Sequence, residues 1–203
     1  MKPHPRSRVF LTGVGGQGTL TATTLLARVA LDQGLPVTAG EIHGMAQRGG
    51  VVESAVLFGG YLSPVVSHGE ADVLLGFEPL ETLRALPYLK EGGLVVSVLE
   101  PMPPVGVAMG RETYPDIAHV EARVRAVASQ AWFVPCLKLA REAGSVQAAN
   151  TVLLGAAAAA GALPFGLDAL EAGVRQYLKP ALVEMNLVAL KLGAEAVRQA
   201  NKN

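Results

Sequence analysis

The front of the chain constrains its fold most. An apolar, β-prone run, Arg8-Val9-Phe10-Leu11-Thr12, leads into Gly13-Val14-Gly15-Gly16-Gln17-Gly18 and then into a helix-like run from Thr19 to Leu26. A strand, a glycine turn and a helix in direct succession aim a row of main-chain N–H groups and the positive end of a helix at one point. So little side chain there suits an anionic ligand, a close-packing turn or a closely docked partner. Gly13, Gly15 and Gly18 also fit the G-x-G-x-x-G spacing of the dinucleotide fold. In that fold an acidic residue roughly 20 positions on holds a ribose. Glu41 meets that requirement loosely.

The rest of the first half alternates strand-like and helix-like runs. Strands are predicted over residues 9–12, 35–39, 51–58, 72–77, 94–99 and 132–134, with a polar loop over 40–50 and a turn over 90–93. Helices are predicted over 19–31, from Pro79 to Leu86, over 119–128 and over 135–143. In the third of these, Val120, Val124 and Val127 share a face. Pro101, Pro103 and Pro104 mark a surface loop. Three further helices are expected over 150–160, 167–177 and 180–200. This pattern implies an α/β fold: a doubly wound, mostly parallel, Rossmann-like sheet with helices on both faces and a C-terminal helical segment. A single domain over 1–203 is expected, with a strand/helix core over about 8–145 and a helical tail over about 150–203.

Composition narrows the function. Half of the 203 residues are hydrophobic, 17% are charged and the formal net charge is +0. That supplies a large core and leaves a charge-poor surface, which fits a subunit buried against other chains. With aromatics at 5% and no basic excess, nucleic-acid binding is disfavoured. The single cysteine, Cys136, allows no internal disulfide and no iron–sulfur cluster held by this chain alone. A buried small hydrophobe is its expected role. Residues 1–8 lack the apolar stretch of a secretory signal, and the run 152–163 falls short of the roughly 20 residues that span a bilayer. A cytoplasmic protein is expected.

A second unusual stretch, His43-Gly44-Met45-Ala46-Gln47-Arg48-Gly49-Gly50, follows the second predicted strand. Ligands of open parallel sheets gather beyond the carboxyl ends of the strands, so this loop and the glycine turn should meet. Gln47, Arg48 and Gly49 are candidate ligand contacts, Arg48 through its planar fork, with an ion pair inside the subunit as its plainer role. His43 is a candidate for chemistry, with a hydrogen-bonded loop histidine as the plainer alternative. Glu78 and Glu81 follow a predicted strand, where a charged helix start is their simplest role.

The two loops together resemble the small subunit of indolepyruvate:ferredoxin oxidoreductase, which is similar to the gamma subunit of the pyruvate and 2-oxoglutarate ferredoxin oxidoreductases. The His-Gly-Met-Ala-Gln version of the second loop points to the indolepyruvate branch. Residues 71–81 and 150–156 fit the same family, so the resemblance covers essentially the whole chain. It implies oxidative decarboxylation of a 2-oxo acid to an acyl-CoA, with electrons passed to ferredoxin. The chain has neither the Gly-Asp-Gly start of a thiamine diphosphate site nor cluster cysteines. The resemblance therefore implies a large partner subunit that holds thiamine diphosphate, Mg and the 4Fe-4S clusters. This chain would be an accessory subunit of the hetero-oligomer, inactive by itself. It would bind the phosphates of coenzyme A through Gly13, Gly15, Gly16, Gln17, Gly18, Gln47, Arg48 and Gly49. Two other readings remain: a stand-alone NAD- or FAD-binding oxidoreductase using Glu41, and a structural interaction subunit with an empty turn.

Overall fold

The computed structural model describes residues 6–43 and 50–202. In chain order the strands are β1 (Ser7–Val14), β2 (Val37–His43), β3 (Val51–Phe58), β4 (Ala71–Gly76), β5 (Leu89–Val98) and β6 (Gln130–Val134). The helices are α1 (Thr19–Asp32), α2 (Pro79–Arg84), α3 (Val105–Ala108), α4 (Ile117–Val127), α5 (Cys136–Ala143), α6 (Ala149–Ala159), α7 (Leu167–Tyr177) and α8 (Pro180–Ala200).

The strands form one sheet in the order β2-β3-β1-β4-β5-β6. β1, β4, β5 and β6 pair in parallel, and β3 runs antiparallel to both of its neighbours. This is the mostly parallel α/β sheet expected, with one reversed strand. β1 is apolar on both sides because both sides are covered. Val9 and Leu11 pack with Leu26, Val29, Leu153 and Leu190, in the layer that holds α1 and α5 to α8. Phe10 packs with Leu74, Val95, Val120 and Val124, toward α4.

Three local expectations change. The predicted loop over 40–50 begins later, because β2 continues through His43 in pairing with β3, from Val37 opposite Phe58 to His43 opposite Val52. Gly40 is no turn. A Cβ there would lie 2.6 Å from the Pro64 Cβ, so the glycine makes room for a neighbouring loop. Val127 leaves the buried face of α4: Val120 and Val124 are fully covered, while Val127 is 46% exposed. The predicted turn over 90–93 lies inside β5, where the pairing with β4 jumps from Leu89 to Leu94 and the intervening residues are left unpaired.

α6 and α8 cross with their backbones in contact. A Cβ on Gly155 would overlap the Leu190 carbonyl, and one on Gly193 would overlap that of Val152. This crossing fixes α8 beside α6 and places Leu182, Met185 and Asn186 over the carboxyl end of the sheet, where they line a cleft.

Candidate functional site

The sheet's order reverses between β1 and β4, and the crevice beyond their carboxyl ends is where such folds take ligands. The glycine turn lies there. Phe77, just past β4, donates its N–H to the Thr12 carbonyl at 2.8 Å. A Cβ on Gly13 would sit 2.7 Å from the Phe77 Cβ, so Gly13 allows the turn to pack on the end of β4.

The turn satisfies part of its own backbone. The Gln17 side-chain oxygen accepts the Val14 N–H at 2.7 Å. The Gln17 N–H reaches the Val14 carbonyl at 3.2 Å, and the Gly15 N–H reaches the Gly50 carbonyl at 2.8 Å. The last bond joins the turn to the flank of the second loop, as the sequence led one to expect. Gln17 therefore braces the turn with its side-chain oxygen.

The helical side of the turn is different. Gly18 is the N-cap of α1, in the left-handed region at φ +82°, and no side chain caps the helix. No acidic residue stands in the first turn of α1. The N–H groups of Thr19, Leu20 and Thr21 thus end the helix without a side-chain acceptor among the described residues, and the positive end of the helix is uncompensated. Gly16, at φ +104°, has nothing within 4 Å of where a Cβ would be. It is an open position of the turn. Gly18 is packed instead, since a Cβ there would meet the Asn150 Nδ2 at 2.5 Å. That amide lies 3.4 Å from the Gly18 carbonyl.

A cleft of about 460 Å³ opens beside this helix end, lined by α1, α5, α6, α8 and the segments after β4 and β5. Its floor carries a polar network: the Thr151 hydroxyl donates to the Asn186 Oδ1 at 2.6 Å, and the Asn186 amide donates to the Leu182 carbonyl at 2.8 Å. Among the described residues no lysine or arginine lines the cleft, and its one acidic residue is Glu100.

On the other face of the sheet, a buried carboxylate anchors α2. Glu78 is fully covered and accepts the Glu81 N–H at 2.9 Å, the Met102 N–H at 3.3 Å and the Tyr114 hydroxyl. The structural role expected for Glu78 holds. Burial raises the Tyr114 hydroxyl's pKa, as does its hydrogen bond to Glu78. Burial also raises the Glu81 carboxyl, against the pull of Arg84, which bonds it at 2.7 Å. Glu53, opposite Thr12 in the β1–β3 register, is raised by burial as well. Cys136 is fully buried, and burial, reinforced by Glu100, raises its thiol pKa well above the ordinary value. It is inert packing, as expected.

Glu41 does not stand where a ribose acid would. It sits on edge strand β2, with β3 between it and β1. Two strand spacings put it on the order of 10 Å from the line of β1. Among the sequence candidates, Gly13, Gly15, Gly16, Gln17 and Gly18 are brought together at the switch point. His43 is seen as a backbone position at the end of β2. Its side chain, Gln47, Arg48 and Gly49 lie outside the described residues. Sequence reasoning missed Asn150 as the neighbour of Gly18 and Glu100 as part of the cleft. Neither carries a local signal.

Residues 8–196 match the model of the family described as pyruvate ferredoxin/flavodoxin oxidoreductase. The chain belongs to that family. It is a small subunit of a 2-oxo acid:ferredoxin oxidoreductase, as the two loops led one to expect. It is 41% identical to indolepyruvate oxidoreductase subunit IorB of Pyrococcus horikoshii over 94% of this chain and 96% of that protein. Two solved structures share the fold. Pyruvate oxidoreductase subunit PORC of Thermotoga maritima superposes with a TM-score of 0.70 at 22% identity, covering 94% of this chain and 96% of that one. The 2-oxoglutarate:ferredoxin oxidoreductase of Magnetococcus marinus, solved with 2-oxoglutarate, coenzyme A and succinyl-CoA bound, superposes with a TM-score of 0.72 at 18% identity. That match covers 96% of this chain and 31% of that one. Among the described residues no helix is long and apolar enough to cross a membrane.

Proposed function

We propose that this family member serves an oxidoreductase acting on indolepyruvate or another aryl pyruvate, and that its glycine turn holds the phosphates of coenzyme A. Thiamine diphosphate, Mg and the 4Fe-4S clusters belong to a larger partner subunit, which passes electrons to ferredoxin. One buried cysteine cannot supply the four thiolates of a cluster. The likeness to subunit IorB supports the aryl pyruvate. Within such an enzyme this chain's task is to bind and orient coenzyme A.

The observation that carries the reading is the uncapped N-terminus of α1 at the β1/β4 switch point, joined through Gly15 and Gly50 to the second loop. Free N–H groups and an uncompensated helix dipole form an anion site. Arg48, by its place in the second loop's sequence, is assigned to the phosphates; among the described residues the cleft lining has no cation. The competing reading is a packing turn without a ligand. It draws on the Val14, Gly15 and Gln17 N–H groups, which are already occupied.

Thr21→Asp separates the two. Thr21 is exposed in the first turn of α1. A carboxylate there suits the helix by roughly 0.3–1 kcal/mol, so stability holds or rises. The same charge opposes phosphate, and the apparent Kd of the assembled enzyme for coenzyme A should rise roughly tenfold. Arg48→Ala should weaken coenzyme A similarly. An unchanged Kd in both variants would overturn the coenzyme A reading and leave the packing turn.

A further inference from the structure

The cleft beside α1 is rich in uncharged carboxamides. Gln17, Gln147, Asn150, Thr151 and Asn186 line it, together with apolar side chains that include Leu154, Leu182 and Met185. Its one described charged residue, Glu100, gives Oε1 to the Lys138 N–H at 2.9 Å and keeps Oε2 buried. With no described cation in the lining, nothing there draws in a second phosphate. Most of the carboxamide oxygens are already engaged. Gln17 Oε1 accepts the Val14 N–H, Asn150 Oδ1 the Thr151 N–H and Asn186 Oδ1 the Thr151 hydroxyl. What is left over is accessible: Gln17 is half-buried and Gln147 is exposed. Among the described residues the Gln17 NH2 group and the whole Gln147 carboxamide have no hydrogen-bond partner. A donor at the glycine turn and a complete amide on the short helical turn Val146–Ala148 thus line one space, with hydrocarbon around them. Such a lining suits an uncharged ligand in which amides alternate with hydrocarbon, because each polar group then meets a partner. A volume of about 460 Å³ lies within the range that holds a small molecule.

We propose that this cleft receives the pantetheine arm of coenzyme A. That arm is an uncharged chain of amides spaced by methylene groups. The Gln17 NH2 group donates to one of its carbonyls, and Gln147 pairs with an amide through both its donor and its acceptor. Leu154, Leu182 and Met185 cover the methylene groups. The inference rests on the coenzyme A reading and deepens it. The diphosphate stays at the first turn of α1 beside Gly16, and the arm runs from there through the cleft, leaving the nucleoside outside. The thiol emerges over the rim, where Met102, Val146 and Leu182 are 40%, 47% and 39% exposed, to meet the thiamine diphosphate of the partner subunit.

The test compares three ligands on the assembled enzyme: coenzyme A, 4′-phosphopantetheine, which lacks the nucleoside, and adenosine 3′,5′-bisphosphate, which lacks the arm. The variant is Gln147→Leu, at an exposed position where the bond from its own N–H to the Ser145 hydroxyl is kept. It should weaken coenzyme A and 4′-phosphopantetheine roughly fivefold each and leave adenosine 3′,5′-bisphosphate unchanged. A loss confined to the two ligands that carry adenosine would put the nucleoside in the cleft and overturn the proposal. An equal loss for all three would mean that Gln147 acts on the phosphates, which overturns it as well. If Gln147→Leu changes none of them while Thr21→Asp still weakens all three, the arm's place falls and the phosphate site stands. If neither variant affects any of the three ligands, both fall.

Discussion

Replacing Gly18 with alanine probes the joint between the turn and the helical layer. Two costs add. At φ +82° an alanine backbone is strained by about 1–2 kcal/mol. The new Cβ also lands 2.5 Å from the Asn150 Nδ2 and 3.2 Å from its Cγ. Asn150 is 9% exposed, and its Oδ1 accepts the Thr151 N–H at 2.8 Å, so its amide cannot swing away without losing that bond. Displacing it costs a further ~1–2 kcal/mol. The sum, about 2–4 kcal/mol, lowers Tm by roughly 5–10 °C in a chain of this size. The two parts are separable by a double-mutant cycle read from thermal and urea unfolding of the purified chain. On an Asn150→Ala background, Gly18→Ala should cost the backbone strain alone, a coupling of ~1–2 kcal/mol. Gly16→Ala is the control: nothing lies within 4 Å of its Cβ, so it too carries backbone strain alone. Equal costs for Gly18→Ala on both backgrounds would refute the packing argument.

Other consequences follow from the same packing and charge. Gly155→Ala and Gly193→Ala each gain roughly 1 kcal/mol of helix propensity but push a methyl into the backbone of the facing helix, with no side chain to rotate aside. A net loss of about 2 kcal/mol is expected for each, with weakened coenzyme A binding because α8 carries part of the cleft wall. Unchanged unfolding midpoints would contradict the close crossing. Burial raises the carboxyls of Glu53 and Glu81 above their ordinary 4.5. The folded state then holds those protons more tightly than the unfolded one, so what these two groups contribute to stability is fully present below 4.5 and is lost as pH rises through the raised values. Glu53→Gln should flatten that decline in urea unfolding followed from about pH 4 upward, and a slope identical to that of the unmutated chain would count against it.

What the sequence made legible was whatever is periodic or local. α7 falls at the expected residues 167–177, and α8 from Pro180 to Ala200, because each carries its own stop or start. Pro180 begins α8 where its missing N–H costs nothing. The extent of β2 was hidden because it depends on β3, which pairs with it only after the chain reverses. The bond from the Lys138 N–H to Glu100 and the contact of Tyr114 with Glu78 were hidden for a similar reason. Each joins segments tens of residues apart, and no local pattern of residue types specifies such a meeting.

The glycine turn shows this division most sharply. Its spacing, strand before and helix after, could be read from the chain, but the use of each glycine could not. Gly13 gives way to Phe77 and Gly18 to Asn150, a residue 132 positions away, while Gly16, outside the three-glycine spacing, has nothing where its side chain would be. A glycine is explained by what occupies the space its side chain would fill, and that occupant is a property of the fold. It follows that the spacing itself does not support a dinucleotide here, since two of its three glycines are accounted for by protein atoms alone. The case for an anion rests instead on the N–H groups of Thr19, Leu20 and Thr21, which the protein leaves without a side-chain cap although it caps α2 with Glu78 and α4 with Asp116. Helices α5 to α8 likewise begin without a bond from their own N-cap side chains, so bareness alone does not single out α1; its position does, because it starts at the switch point beside the cleft, where a ligand has the most to offer.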